Sequence, residues 1–241
     1  MNLVIDIGNT LQKIAVFNQK DECVFVQSFK NIKKEILASI FSEFSIQNSI
    51  ISSVADWDTL VVDFLEENTK MIHYSHQTKL PITILYKSAD TLGLDRIACA
   101  VGAAALFPGK NILSIQAGTC LVLDFVNKNR EYLGGSISLG MKMRFDALHE
   151  KTKKLPLLSA PDNPQLFLGA TSEESILSGV INGICYEIEG FVDAYQKEFK
   201  DVDVLITGGD APCLQKFIKN TIFAAPNVVL IGLNEIIKYN V

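Results

Sequence analysis

The sequence has few cysteines and no cysteine pair. Its five thiols, Cys23, Cys99, Cys120, Cys185 and Cys213, are scattered and form no CxxC. That pattern argues against structural zinc and fits a reducing compartment. Histidine is scarcer still, with only 3 residues. His73 and His76 make an HxxH, but no Cys or third His lies at ligand spacing, and HYSHQTKLP reads as a polar connection carrying a solvated pair. Basic charge is not in excess: 22 Lys+Arg against 27 Asp+Glu leave a net charge of -5, without a dense basic cluster. Nucleic-acid binding driven by counterion release is therefore not expected. No uninterrupted apolar run reaches the roughly 18 to 20 residues that cross a bilayer. The opening MNLVIDIGNT shows neither a basic leader nor a small-residue cleavage site. A cytoplasmic protein without a membrane partner is the expectation.

What is present is enough apolar material for a real core, with 48% hydrophobic residues over 241 positions. Domains of roughly 100 to 150 residues allow one large domain or two small ones sharing a cleft. An approximate internal repeat favours two. LVIDIGNT at Leu3 to Thr10 and LSIQAGT at Leu113 to Thr119 are apolar runs that end in a Gly and Thr turn. Each is followed by another apolar stretch, Ile14 to Phe17 and Leu121 to Val126, so each half is expected to open with a hairpin. In the first half, β-rich runs at Val24 to Phe29, Ile50 to Val54 and Ile82 to Tyr86 alternate with helical patterns at Ile32 to Phe44 and Trp57 to Asn68. A further helix is expected over Asp95 to Phe107, ended by Pro108 and Gly109. The expected domains are 1–110 and 111–241.

In the second half, Thr171 to Phe199 reads as a long helix. Thr171 and Glu174 form a capping box, and Ile176, Val180, Ile184 and Ile188 recur at helical spacing. Gly179 and Gly183 lie on that apolar face and predict a close backbone approach by another element. A strand at Val204 to Thr207, a short helix near Leu214 and a strand at Val228 to Ile231 complete the expected order. Gly134 and Gly135 are expected to form a tight turn at a strand end.

The chemistry is expected at the glycine turns. Asp6, Gly8, Asn9 and Thr10 end a buried strand, where a carboxylate can hold hydrated Mg2+ while backbone NH groups and hydroxyls meet phosphate oxygens. Lys13 adds a cation. The same residues also suit an Asx-type hairpin turn with no ligand. A second copy at Gly118 and Thr119, with Thr207, Gly208 and Gly209 after another strand, points to a nucleotide held between two domains. GSISLGMK, over Gly135 to Lys142, is not a P-loop, because Met141 stands where lysine must follow glycine. A GxGxxG fingerprint is absent. Asp95 and Arg96 follow Gly93 at the start of a helix. Asp95 can serve there as a helix cap or as a general base for a hydroxyl, with Arg96 as a fixed cation for an anionic substrate.

Taken in order, DIGNT, LGLDR, QAGT, GGSISLG, LGATSEES and ITGGDA resemble the type III pantothenate kinases over Asp6 to Leu233. The resemblance implies an α/β protein with the duplicated actin-like ATPase fold shared by acetate and sugar kinases, Hsp70 and actin. It implies a homodimer that transfers the ATP γ-phosphate to pantothenate, the first step towards coenzyme A. By the same resemblance, ATP would be bound by Asp6, Ile7, Gly8, Asn9, Thr10, Leu11, Gln12, Lys13 and Thr119, with Mg2+ at Asp6. Asp95 would accept the proton. Tyr86, Gly93, Leu94, Asp95 and Arg96 would contact pantothenate, as would Ser172, which replaces the family's usual Thr. The family also implies a monovalent cation, K+ or NH4+, held by the Asp of a DAGT motif. Here that position is Gln116, which keeps a carbonyl oxygen but lacks the charge. GGSISLG has Leu139 where proline is common. Two other readings attach to the same residues: a different small-molecule kinase of this fold, and a non-catalytic regulator resembling the Bvg accessory factor. The GxDR and TGG pair disfavours the first, and intact Asp6, Asp95 and Thr119 disfavour the second.

Overall fold

The opening apolar run forms strand β1 (Asn2–Ile7), in which Leu3, Val4 and Ile5 are fully buried in the computed structural model, which describes residues 1–8, 11–53, 59–161 and 167–241. Successive buried side chains mean that both faces of the strand are covered. Strand β2 (Gln12–Phe17) returns antiparallel and sets Lys13 opposite Asp6. Strand β3 (Cys23–Phe29) adds an antiparallel edge. Helix α1 (Lys34–Glu43) leads to β4 (Asn48–Ser53), parallel to β1, and α2 (Thr59–Asn68) leads to β5 (Lys70–His73), parallel to β4. Leu3, Ile5 and Ile7 join Leu37 and Ile40 of α1 and Val61 and Leu65 of α2 in one core. The short β6 (Thr83–Ile84) and a 3-10 turn at Ala89–Thr91 precede helix α3 (Leu94–Leu106).

The same construction then repeats. Strands β7 (Asn111–Ala117) and β8 (Cys120–Val126) pair antiparallel, and β9 (Glu131–Leu139) lies beside β8. Helices α4 (Met141–Glu150) and α5 (Ser172–Glu198) follow, then β10 (Val202–Thr207), α6 (Ala211–Leu214), β11 (Phe223–Ala224) and helix α7 (Val228–Asn240). Strand β10 runs parallel to β7, and β11 parallel to β10. The orders β3-β2-β1-β4-β5 and β9-β8-β7-β10-β11 therefore match strand for strand, with the two repeat motifs on the corresponding central strands.

Two compact units result. The first holds Met1–Pro108 with Arg130–Tyr132 and Asn227–Val241, and the second holds Gly109–Asn129 with Leu133–Pro226. Strand β6 pairs with Glu131 and Tyr132 inside the first unit. The C-terminal segment, expected as part of 111–241, thus packs with the first half. Its Val228 to Ile231 run is helical rather than a strand, because α7 buries Val228, Leu230, Leu233, Ile236 and Ile237 at helical spacing. Glycines let α7 reach α3: a β-carbon on Gly102 would collide with the Val228 carbonyl, and one on Gly232 with the Ala98 carbonyl.

Two other glycine expectations change. Gly134 and Gly135 lie inside β9, and Gly135 is pressed against the Leu123 carbonyl of β8, so a close strand approach rather than a turn requires it. On α5, the Thr171 hydroxyl accepts the Glu174 N–H at 3.2 Å, as a capping box requires. Glu174 in turn accepts the Ala170 N–H at 2.7 Å, one residue outside the cap. The backbone approach expected at Gly179 and Gly183 is not made. Among the described residues nothing lies within 4 Å of a β-carbon on Gly179, and only Arg144 Nη1 meets Gly183, at 4.0 Å.

Candidate active site

In the first unit the site grows from the β1–β2 hairpin and the start of α3. Ile7 is buried, Leu11 is 46% exposed, and the Gly8 N–H donates to the Leu11 carbonyl at 3.2 Å. Asn9 and Thr10 lie outside the described residues. The Gln12 carboxamide accepts the Ile32 N–H at 2.6 Å, a bond that ties the chain after β3 to the hairpin. Asp6 is raised to about 6, mainly by burial and then by the charge of Asp95, while Lys13 pulls it down. The structure thus brings Asp6, Lys13 and Asp95 within electrostatic reach of one another.

Asp95 is not the helix cap. The cap position is Gly93, and Asp95 sits in the first turn of α3, where its Oδ1 accepts the Arg96 N–H at 2.9 Å. The helix dipole favours a carboxylate there. A β-carbon on Gly93 would lie 2.5 Å from Asp95 Oδ1, so the glycine makes room for the carboxylate.

Arg96 is buried and held between two tyrosines. Its Nη2 donates to the Tyr132 hydroxyl at 2.8 Å, and its guanidinium lies 5.9 Å from the centre of the Tyr86 ring. The two rings meet edge-on at 6.0 Å. Tyr132, unforeseen from the sequence, reaches the site from the start of β9, and no local signal marks it. The segment read as a polar connection also shapes the site. Tyr74 donates to the Leu94 carbonyl at 3.0 Å, and His76 Nε2 meets the Leu92 carbonyl at 2.8 Å. Burial and the Asp95 charge push the Tyr74 phenol far up, which keeps it a neutral donor. His73, by contrast, ends β5 and pairs with Glu66 at 3.1 Å.

In the second unit the glycine turns interlock. The Asp210 N–H donates to the Ala117 carbonyl at 3.0 Å, and Gly208, at φ +100°, presses on the same carbonyl. Gly140, at the start of α4, presses on the Gly118 and Thr119 carbonyls. No residue with a β-carbon fits at Gly208 or Gly140, so the Gly118–Thr119 turn, the Gly208–Gly209 turn and the N-terminus of α4 form one backbone cluster. The Asp210 carboxyl accepts the Met141 N–H, yet burial outweighs that bond and raises its pKa. A cavity of about 740 Å³ opens beside it, lined by Met141, Phe145, Leu158, Pro161, Gly209 and Asp210. Asp210 belongs to the TGGD turn, but its sequence context assigned it no role. Ser172 begins α5 and lines a separate cavity of about 810 Å³ with Arg144, Ile176 and Gly179. Gln116 lies near the end of β7 between Val122 and Thr207, and its Nε2 is buried with no hydrogen-bond partner among the described residues.

Glycine turns at strand ends and a carboxylate at a helix start are the kinds of group that suit phosphoryl transfer to a hydroxyl. Known proteins agree. The family model for type III pantothenate kinase matches residues 2–194. A type III pantothenate kinase of Cytophaga hutchinsonii is 44% identical over 243 residues, covering 100% of both chains. One from Phocaeicola vulgatus is 41% identical over 241 residues, covering 100% of this chain and 99% of that one. Among solved structures, a glucokinase from an Antarctic psychrotroph aligns with TM-score 0.54 at 13% identity, covering 99% of this chain and 98% of that one. A Campylobacter jejuni protein described as a Baf family transcriptional activator aligns with TM-score 0.61 at 19% identity, covering 99% and 98%. At these identities the structural likenesses establish the fold alone, the duplicated actin-like α/β fold of these kinases.

Proposed function

Because the chain belongs to the type III pantothenate kinase family, we propose that it transfers the γ-phosphate of ATP to the 4'-hydroxyl of pantothenate, with Asp95 as the general base. The observation that carries this reading is the pairing of Asp95 and Arg96, each held in place by its surroundings. Asp95 is fixed at the start of α3 over a glycine that leaves it room, and Arg96 is clamped by Tyr86 and Tyr132. The hydroxyl oxygen attacks the γ-phosphorus, and its proton passes to the Asp95 carboxylate. The bond from the γ-phosphorus to the bridging oxygen breaks, and ADP leaves with the electron pair. Arg96 offers a planar, permanently charged partner to the substrate carboxylate, with Tyr86 and Gly93 beside it. Thr119 and the backbone of the interlocked turns meet the nucleotide.

A divalent metal accompanies ATP in such kinases, and the residues fit one. Asp6 is a hard oxygen donor whose ionisation is held back by burial and by Asp95, and a divalent cation relieves both. When bound with the phosphates, Mg2+ neutralises the charge that develops on the transferred group. Asp6 would hold it, and Lys13, directly across the hairpin, steadies the same phosphates.

No helix among the described residues is long and apolar enough to cross a membrane, and none of the five cysteines is in a disulfide. A cytoplasmic setting is proposed, because it suits both the reaction and a chain whose cysteines form no disulfide. Two copies are proposed to meet along α5, whose Gly179 and Gly183 leave room for another backbone and whose Tyr186 is half exposed. An assay of purified protein with Mg-ATP and pantothenate, reading ADP and phosphopantothenate by mass, tests the function. The absence of product overturns it. Sedimentation showing an active monomer at micromolar concentration overturns the dimer.

A further inference from the structure

The family's monovalent cation does not fit the group that this chain places at its site. A cation is surrounded by oxygen acceptors, and the Asp that the family resemblance implies at this position would add a full negative charge to them. Gln116 instead presents a buried Nε2 with no acceptor among the described residues. It does so where β7 and β10 both empty into glycine turns: its register partner is Thr207, and the turns at Gly118–Thr119 and Gly208–Gly209 follow directly. On the same pair of strands, β7 and β8, the Ser114 hydroxyl donates to the Asp124 backbone carbonyl at 3.2 Å. Among the described residues, no group of three His, Cys, Asp or Glu stands ready to take a metal. A buried donor beside phosphate-binding turns calls for an anionic oxygen rather than a cation.

We infer that the Gln116 amide donates to a phosphate oxygen of the bound nucleotide and replaces the electrostatic support of a bound K+ or NH4+ ion, so that this enzyme turns over without a monovalent cation. The inference rests on the proposed binding of ATP at the Thr119 turn. A tethered N–H dipole is weaker than a full charge but is always present, already oriented, and needs no desolvation of an ion. Gln116 is thereby a positioning group for the nucleotide, and its loss should appear first in nucleotide affinity.

The test titrates KCl against choline chloride at fixed ionic strength and fixed Mg2+, using the full-length protein, and reads both turnover and the Kd of a non-hydrolysable ATP analogue. The unmodified protein should change less than about twofold in either quantity. Gln116→Met, similar in volume and without a donor, should weaken analogue binding about tenfold or more while the melting temperature holds or rises. Gln116→Asp should be nearly inactive in choline and regain turnover with K+. Strong K+ activation of the unmodified protein overturns the inference and leaves the kinase reading intact. Unchanged analogue binding in Gln116→Met, or an Asp variant fully active in choline, overturns it in the same way. Absence of phosphopantothenate in every salt overturns the kinase reading, and this inference with it. If the Met variant does not fold, the analogue Kd of the unmodified protein in the two salts still decides.

Discussion

Asp95 lies within electrostatic reach of Asp6, whose carboxyl is lifted to about 6 by burial first and then by the Asp95 charge, against the pull of Lys13. Because the folded value lies above the ordinary 3.8, the neutral form is the one that folding favours. The stability tied to Asp6 is therefore complete below about pH 4 and is lost as pH rises through about 6. The total lost across that window is roughly 3 kcal/mol. Thermal melts of ligand-free protein should show Asp6→Asn gaining on the unmodified chain between pH 4 and 7. Parallel melting curves for the two proteins would contradict the assignment.

Asp95→Asn keeps the polar group that accepts the Arg96 N–H but cannot take a proton from a hydroxyl. Turnover should fall by about 100 to 10,000-fold, the usual range for losing a general base. Binding of Mg-ATP should tighten or hold, since removing the Asp95 charge lets Asp6 ionise more readily. Single-turnover kinetics alongside nucleotide titration separates the effects. A loss below about threefold would show that Asp95 is not the base.

The parts of this arrangement that were legible in the sequence are those decided locally. Asp6 and Gly8 sit at a strand end because LVI must be buried, and the Thr171 cap is encoded by residues three apart. What stayed hidden depends on contacts between distant segments. Tyr132 clamps Arg96 across 36 residues, and Tyr74 and His76 hold the Leu92 to Leu94 backbone from a stretch that reads as polar linker. The VVLI run of α7 looks like a strand because β-branched residues favour one. Packing on α3 overrides that preference. Gly179 and Gly183 show the opposite error: a pattern that promised a contact finds none among the described residues of the chain.

Gly93 has φ -53° and ψ 131°, a conformation open to any residue, so an alanine there brings no backbone strain. Its β-carbon would instead lie 2.5 Å from Asp95 Oδ1 and 3.7 Å from Arg96 Cγ. The carboxylate must turn away, and a displacement of about 1 Å can remove about 100-fold in rate. Gly93→Ala should therefore lose turnover by at least about tenfold while melting within a few degrees of the unmodified protein. Full activity in this variant would mean that the position of Asp95 is not critical.

Gly232 tests whether the last helix belongs to the first unit. A β-carbon on it would collide with the Ala98 carbonyl and stand 2.8 Å from the Gly102 nitrogen, both backbone atoms of α3 that cannot swing aside. The two helices must separate, loosening Ile97, Val101, Leu233 and Ile237, all nearly or fully buried. Overpacking of this kind costs about 1 to 3 kcal/mol, more than alanine's better helix propensity returns. Gly232→Ala should thus lower the denaturation midpoint, whereas Gly190→Ala, with open space over α5, should leave it unchanged or raise it slightly. Hydrogen exchange should rise in α3 and α7 together for Gly232→Ala. If the two variants melt alike and α3 stays protected, α7 is not seated on α3 through Gly102 and Gly232.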